Sequence, residues 1–213
     1  MRFKHLVCGA LGVNTYIIGS EHSGDCIVID PGTAAPVLAA LKKNGLTCKA
    51  ILLTHGHFDH IGGVRKLKEQ TGAKVYIHEA DAEMLKSNRA SLAVLTGDLL
   101  ESAEPDVLLQ GGETLEIAGL TIKVLHTPGH TKGGVSYILE AEHKLFCGDT
   151  LFRESAGRTD FPGGSEAELY RSIKQGLFAL EGDYEVFCGH EESTTLDYER
   201  WNNPFVLAIE RRE

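Results

Sequence analysis

The sequence predicts an α/β fold in which sheets are covered by helices on their outer faces. Three observations lead there: short β-like apolar runs recur along the chain, amphipathic helical stretches interrupt them in both halves, and no linker-like or low-complexity segment divides the 213 residues. A chain of this length holds one substantial core, so one domain over residues 1–213 is expected.

Tyr16-Ile17-Ile18, Cys26-Ile27-Val28-Ile29, Ile51-Leu52-Leu53 and Val75-Tyr76-Ile77 have the length and β-branched content of buried strands. Leu115 to Ile117, Ile122 to Leu125, Val135 to Leu139, Lys144 to Cys147 and Glu185 to Cys188 continue the series. A helix is expected over residues 34–44, with Pro36 near its start, Val37, Leu38 and Leu41 on one face, and Asn44-Gly45 as a stop. The clearest helix covers residues 165–180: Ser165 and Glu168 have capping-box spacing, and Leu169, Ile173, Leu177 and Leu180 recur at helical intervals. Weaker helical patterns cover residues 62–71 and 80–87. The less regular region from Ser87 to Gln110 reads as a surface connection that could border a pocket.

With 42% hydrophobic and 24% charged residues, the composition excludes disordered and fibrous classes. A formal charge of −9 and no run of Lys and Arg disfavour nucleic acid as a partner. No segment has the apolar length of a membrane span, and the N-terminal residues lack a secretory apolar region, so the expected compartment is the cytoplasm. Five cysteines, with no C-x-x-C pair, read as buried reduced thiols rather than disulfides or zinc thiolates.

The chemistry concentrates after Ile51-Leu52-Leu53, in Thr54-His55-Gly56-His57-Phe58-Asp59-His60. Three imidazoles and a carboxylate lie within six positions. In a non-helical turn, residues two apart can point the same way, so His55 and His57 can share one metal while Asp59 and His60 turn toward another. Gly56 lets the backbone bend between them. Imidazole and carboxylate donors suit zinc and also accept iron or manganese. His130, Asp149 and His190 each follow a further strand-like run, and ligands delivered from strand ends converge on one rim of an α/β structure. His5, His22, His78 and His143 read as ordinary surface or structural histidines. His126 is open between a supporting role near His130 and a structural one, and Asp30 between a turn residue and an acceptor for a metal-bound imidazole.

The ordered set His55-x-His57-x-Asp59-His60, His130, Asp149, His190 resembles the ligand set of the metallo-β-lactamase superfamily over nearly the whole chain. Gly148-Asp149-Thr150-Leu151-Phe152, the segment His126 to Thr131, and Cys188-Gly189-His190-Glu191 look most like glyoxalase II, the hydroxyacylglutathione hydrolases, in a short form. The resemblance implies an αββα sandwich of two mixed sheets flanked by helices. It also implies two divalent metal ions, zinc foremost: His55, His57 and His130 for the first, Asp59, His60 and His190 for the second, Asp149 bridging. Asp at the bridging position is similar to glyoxalase II, whereas many zinc β-lactamases carry Cys there, which argues against antibiotic hydrolysis as the native task. The chain departs from long-form glyoxalase II in having only 23 residues after His190. It also lacks that family's Tyr positions, leaving Arg158 as the one glutathione-contacting residue that carries over, with a surface salt bridge as its alternative.

Thioester hydrolysis follows as the expected reaction, with a small-molecule substrate such as S-lactoylglutathione, and Asp59 orienting the nucleophile that the two metals share. Two rivals stand beside it. A persulfide dioxygenase, similar in Gly157-Arg158-Thr159-Asp160-Phe161, would hold a single iron on His55, His130 and Asp149. A non-catalytic metal-binding module would keep the ligands without turnover.

Overall fold

The segment Cys26-Ile27-Val28-Ile29 is apolar on both faces, and alternation along a strand sends successive side chains to opposite sides, so its sheet has to be covered twice. The computed structural model, which describes residues 1–97 and 99–210, meets that demand with four layers in the order helix, sheet, sheet, helix. The first sheet places β1 (Arg2–Cys8), β2 (Val13–Gly19), β3 (Asp25–Ile29), β4 (Thr47–Leu52), β5 (Lys74–His78) and β6 (Val107–Leu109) side by side. Its first three strands pair antiparallel and its last four parallel. The second sheet contains β7 (Thr114–Ile117), β8 (Leu120–His126), β9 (Val135–Leu139) and β10 (Lys144–Gly148). A hairpin of β11 (Leu151–Phe152) and β12 (Ser155–Ala156) precedes its last members, β13 (Glu185–Cys188) and β14 (Thr194–Thr195). The order across this sheet is β14-β13-β10-β9-β8-β7, with β10 and β13 parallel and the other pairs antiparallel. Both sheets are mixed, as the αββα expectation requires.

Three apolar layers hold the stack. Cys26 and Val28 face outward onto Val37 and Leu41 of α1 (Ala34–Lys43); α2 (Phe58–Ile61) follows β4, and Val64 and Leu67 of α3 (Val64–Thr71) complete this layer. Ile27 and Ile29 point the other way, against Ile122, Tyr137 and Phe146 of the second sheet. Each such aliphatic side chain, fully buried, contributes about 1.5–3 kcal/mol. Leu145 and Val186 on the far face pack on Leu169 of α4 (Glu166–Arg171), Leu196 of α5 (Leu196–Asn202) and Val206 of α6 (Pro204–Glu210).

The expected elements differ from the structure in four places. The helix over 165–180 starts as its capping box predicts, Glu168 N–H donating to Ser165 Oγ at 3.3 Å, but Ser172–Leu177 widens into a π turn. There the Ser172 hydroxyl donates to the Pro128 carbonyl at 2.7 Å, tying the widened turn to the loop before His130. The pattern over 80–87 closes as a 3₁₀ segment, Glu79–Leu85. Residues 87–110 are more than a surface connection: Ser91, Ala93 and Ala103 are buried there, and β6 extends the first sheet. Finally β1, α5 and α6 have too little regular periodicity to be read from sequence, and long-range packing forms them. All five cysteines are buried and free, as expected. Among the described residues, no helix is long and apolar enough to cross a membrane.

Candidate metal centre

Strands β4, β8, β10 and β13 all end at one rim, and the residues just beyond them are the histidines and aspartates singled out from sequence. The structure brings all seven together. Donor atoms of His55, His57 and His130 form one group, those of Asp59, His60 and His190 another, and His55, His60 and Asp149 a third between them, each within 4.8 Å. Asp149 touches both sides: its Oδ1 is 3.3 Å from His60 Nε2, and its Oδ2 is 3.5 Å from His130 Nε2 and 3.7 Å from His190 Nε2. Glycine is required beside it, because a Cβ on Gly189 would come within 2.1 Å of Asp149 Oδ1.

Hydrogen bonds on the far side of three of the rings, His130, His60 and His55, fix which nitrogen faces inward. His130 Nδ1–H donates to the Arg158 carbonyl at 2.7 Å, turning Nε2 to the cluster. His60 Nδ1–H donates to Asp30 Oδ2 at 3.0 Å. His55 Nδ1–H donates to Thr54 Oγ1 at 3.1 Å, and the Thr54 hydroxyl passes on to Asp30 at 2.6 Å. Asp30 is thus both the turn residue and the acceptor left open above, standing at φ 48° and orienting two imidazoles, one directly and one through Thr54.

The donor set fits divalent cations. His55 Nε2 and Asp149 Oδ1 are buried without a hydrogen-bond partner, and buried polar atoms left unpaired at a functional rim mark a place where a ligand belongs. The neutral imidazoles and carboxylates suit zinc, iron or manganese. Charge is distributed unevenly. Burial, then the neighbouring His130, lowers the His57 pKa to about 3, and burial followed by His60 and His57 drives His55 well below its usual value. On the opposite side the shift runs the other way. Burial pulls His60 and His190 down, but Asp149 and Asp30 outweigh it at His60, as Asp59 and Asp149 do at His190, and both titrate above the ordinary histidine value. Burial likewise opposes ionisation of Asp149, yet His60, His130 and His190 hold its carboxyl below the usual range.

A cleft of about 530 Å³ opens over the cluster. His57, Asp59, His130, Asp149 and His190 form its polar floor, and Leu11, Leu92, Leu95, Phe152 and Phe161 line its walls. Arg158 borders it too, but its guanidinium is held by both oxygens of Asp160, each at 2.7 Å, and lies 3.9 Å from the Phe161 ring centre. His126 stays outside. It is exposed, its Nε2–H reaches the Lys132 carbonyl at 2.9 Å, and its ring stacks on His78 at 4.2 Å, which is the structural alternative.

Two supporting residues escaped the sequence reading. Asp81 is fully buried and accepts from Gly56 N–H at 3.2 Å, Thr131 Oγ1–H at 2.7 Å and Gly133 N–H at 2.8 Å, joining the His55–His57 turn to the His130 loop. Asn14 brackets His190: its amide nitrogen donates to the Cys188 and Glu191 carbonyls at 3.1 and 2.9 Å, and its backbone N–H to the Gly189 carbonyl at 2.7 Å. Neither sits in a local motif, and only the placement of Asn14 at the head of an apolar strand hints at a role.

Two mixed sheets between helices, with this imidazole and carboxylate cluster at their rim, define the architecture of the metallo-hydrolase superfamily. A family model of the metallo-β-lactamase superfamily matches residues 8–190, and the chain belongs to that superfamily. Among curated relatives, a hydroxyacylglutathione hydrolase, GloC, of Haemophilus influenzae is 35% identical over 97% of this chain and 98% of its own length. A probable metallo-hydrolase of Bacillus subtilis is 33% identical over the same shares. Among solved structures, the B3 metallo-β-lactamase BLEG-1 superposes with a TM-score of 0.91 at 38% identity, covering 96% of this chain and 99% of the other. TTHA1623 in a di-iron-bound form gives 0.85 at 36%, over 95% and 99%. ETHE1 from Myxococcus xanthus gives 0.79 at 28%, over 100% and 92%.

Proposed function

We propose that this chain hydrolyses small thioesters of the glyoxalase II type, S-lactoylglutathione or a related acyl-thiol, at a site for two divalent metal ions. The observation that carries the reading is Asp149 set between two histidine groups, in a chain similar over its whole length to a named hydroxyacylglutathione hydrolase. His55, His57 and His130 would hold one ion and Asp59, His60 and His190 the other, with Asp149 placed to reach both. Zinc leads the candidates, with iron or manganese on the same donors; the di-iron form of a relative supports iron as an alternative. Two such ions supply positive charge that acidifies water and stabilises a developing oxyanion.

The chain's own residues do the rest. Asp59, whose Oδ2 lies 3.2 Å from His190 Nε2, presents a carboxylate at the cleft floor where it orients the attacking water. Burial of Asp59 opposes its ionisation, but His190 and His60 outweigh it and hold the carboxyl below its usual pKa, so it stays an acceptor at neutral pH. Phe152, Phe161 and Leu95 shield the scissile carbonyl from bulk water. A thiol leaving group departs as thiolate, with a pKa near 8.5, and needs no general acid. The substrate is a small molecule, neither a nucleic acid nor a membrane surface.

One observation favours a second reading, β-lactam hydrolysis: the close superposition on a B3 metallo-β-lactamase. A single substrate panel on protein loaded with zinc or with iron separates the possibilities. It comprises S-lactoylglutathione, a chromogenic cephalosporin, and glutathione persulfide with an oxygen electrode. The proposal predicts thioester turnover exceeding the other activities. Oxygen uptake without thioester cleavage, cephalosporin turnover alone, or no turnover at all would each displace it.

A further inference from the structure

The cleft over the cluster offers a thiol carrier little positive charge. Arg158 is the one Lys or Arg among its described lining residues, and Asp160 engages its guanidinium twice. A second cleft of about 460 Å³ lies beside the first and shares Leu92 with it. The segment that runs from Arg158 and Phe161 on the first cleft continues into Pro162 and Gly163 on the second.

Arg89 and Lys132 line this second cleft, and among the described residues neither has an ion-pair partner. The acidic group beneath them is already engaged: Asp81 is fully buried and its carboxylate takes three donors from the protein. In a chain of net charge −9, two cations that face one cavity and have no ion-pair partner among the described residues favour an anionic ligand there. Both are also fixed relative to the reaction centre. Lys132 follows His130 by two positions, on the loop that Thr131 and Gly133 anchor to Asp81. Arg89 precedes Ser91, whose carbonyl accepts the Phe58 N–H at 2.9 Å, one residue before Asp59.

We infer that the second cleft, through Arg89 and Lys132, is the docking site for an anionic group on the substrate's thiol carrier. That group is a carboxylate of a peptide thiol or a phosphate of a nucleotide thiol. The inference rests on the thioester reading: acyl group and sulfur sit over the cluster, and the carrier crosses past Leu92 so that its charge meets the two cations. Arg89 and Lys132 are exposed, which makes them safe to exchange without disturbing the core.

The test uses metal-loaded full-length protein and two unreactive thioethers, S-methylglutathione and S-methyl-coenzyme A, titrated calorimetrically. The expected result is binding of one of them, which names carboxylate or phosphate, and a fall in affinity of roughly tenfold or more in Arg89→Glu/Lys132→Glu. That loss shrinks as salt rises. The inference is overturned if neither thioether binds, or if the charge-reversed variant binds within about twofold of the parent. Thioether binding that depends on the two cations, in a protein that cleaves no thioester, would leave the docking site standing and sink the hydrolase reading alone.

Discussion

Replacing Asp81 with Ala tests whether the two loops that carry His55, His57 and His130 depend on one buried carboxylate. The substitution leaves three buried donors, Gly56 N–H, Thr131 Oγ1–H and Gly133 N–H, without their acceptor. Each orphaned donor costs about 1–3 kcal/mol. Part of that is returned, because burial also opposes ionisation of Asp81 and raises its pKa, and the desolvation cost of the carboxylate disappears with it. The net loss comes to about 3–4 kcal/mol, a large share of the stability of an ordinary domain. For a chain of this size that lowers Tm by roughly 6–15 °C. Asp81→Asn should lose about half as much, since its amide oxygen can still serve Gly56 and Thr131 while its NH2 confronts Gly133 N–H. Differential scanning calorimetry on metal-free protein measures the stability term, and metal analysis after dialysis against a weak chelator measures retention on the His57 side. A Tm within about 3 °C of the parent for Asp81→Ala, with unchanged metal retention, would refute the reasoning.

Asn14→Ala removes the bracket around His190, and metal analysis should find the second equivalent lost at chelator concentrations the parent withstands, with the first retained. Asp149→Ala removes the group placed between the two sets of histidines, and both metal content and thioesterase activity should collapse; full activity in this variant would contradict bridging. His78 gives a pH dependence. Burial and then the stacked His126 lower its pKa in the folded protein, so the unfolded chain binds the proton more readily and stability declines as pH falls below 6.5. Melting curves of His78→Asn, which keeps a side-chain acceptor for the Ala80 N–H, should show a shallower decline over that window than the parent.

The motif from His55 to His60 is legible because its spacing is local, and His130, Asp149 and His190 because each follows an apolar strand. Strands β2 to β5 are legible for a related reason: burial leaves short apolar runs such as Tyr16-Ile17-Ile18, Cys26-Ile27-Val28-Ile29, Ile51-Leu52 and Val75-Tyr76-Ile77. What stays hidden depends on contacts distant in sequence. Asp81 is one aspartate in a 3₁₀ segment, and its importance appears only when residues 56, 131 and 133 close around it. Asn14 acts on a loop 174 residues away. The pairing of Arg158 with Asp160 is local, yet whether a flexible arginine folds back on a neighbouring carboxylate is a matter of rotamers that sequence does not specify. The π turn at Ser172–Leu177 has no sequence signature either, because Leu169, Ile173, Leu177 and Leu180 keep near-helical spacing through it.

Diffraction from crystals of loaded protein, collected on both sides of the metal absorption edge, bears on the whole scheme. Two anomalous peaks are predicted, one among His55, His57 and His130 and one among Asp59, His60 and His190, with Asp149 between them. A single peak bound by His55, His130 and Asp149, or none in the cluster, would contradict a dinuclear hydrolase.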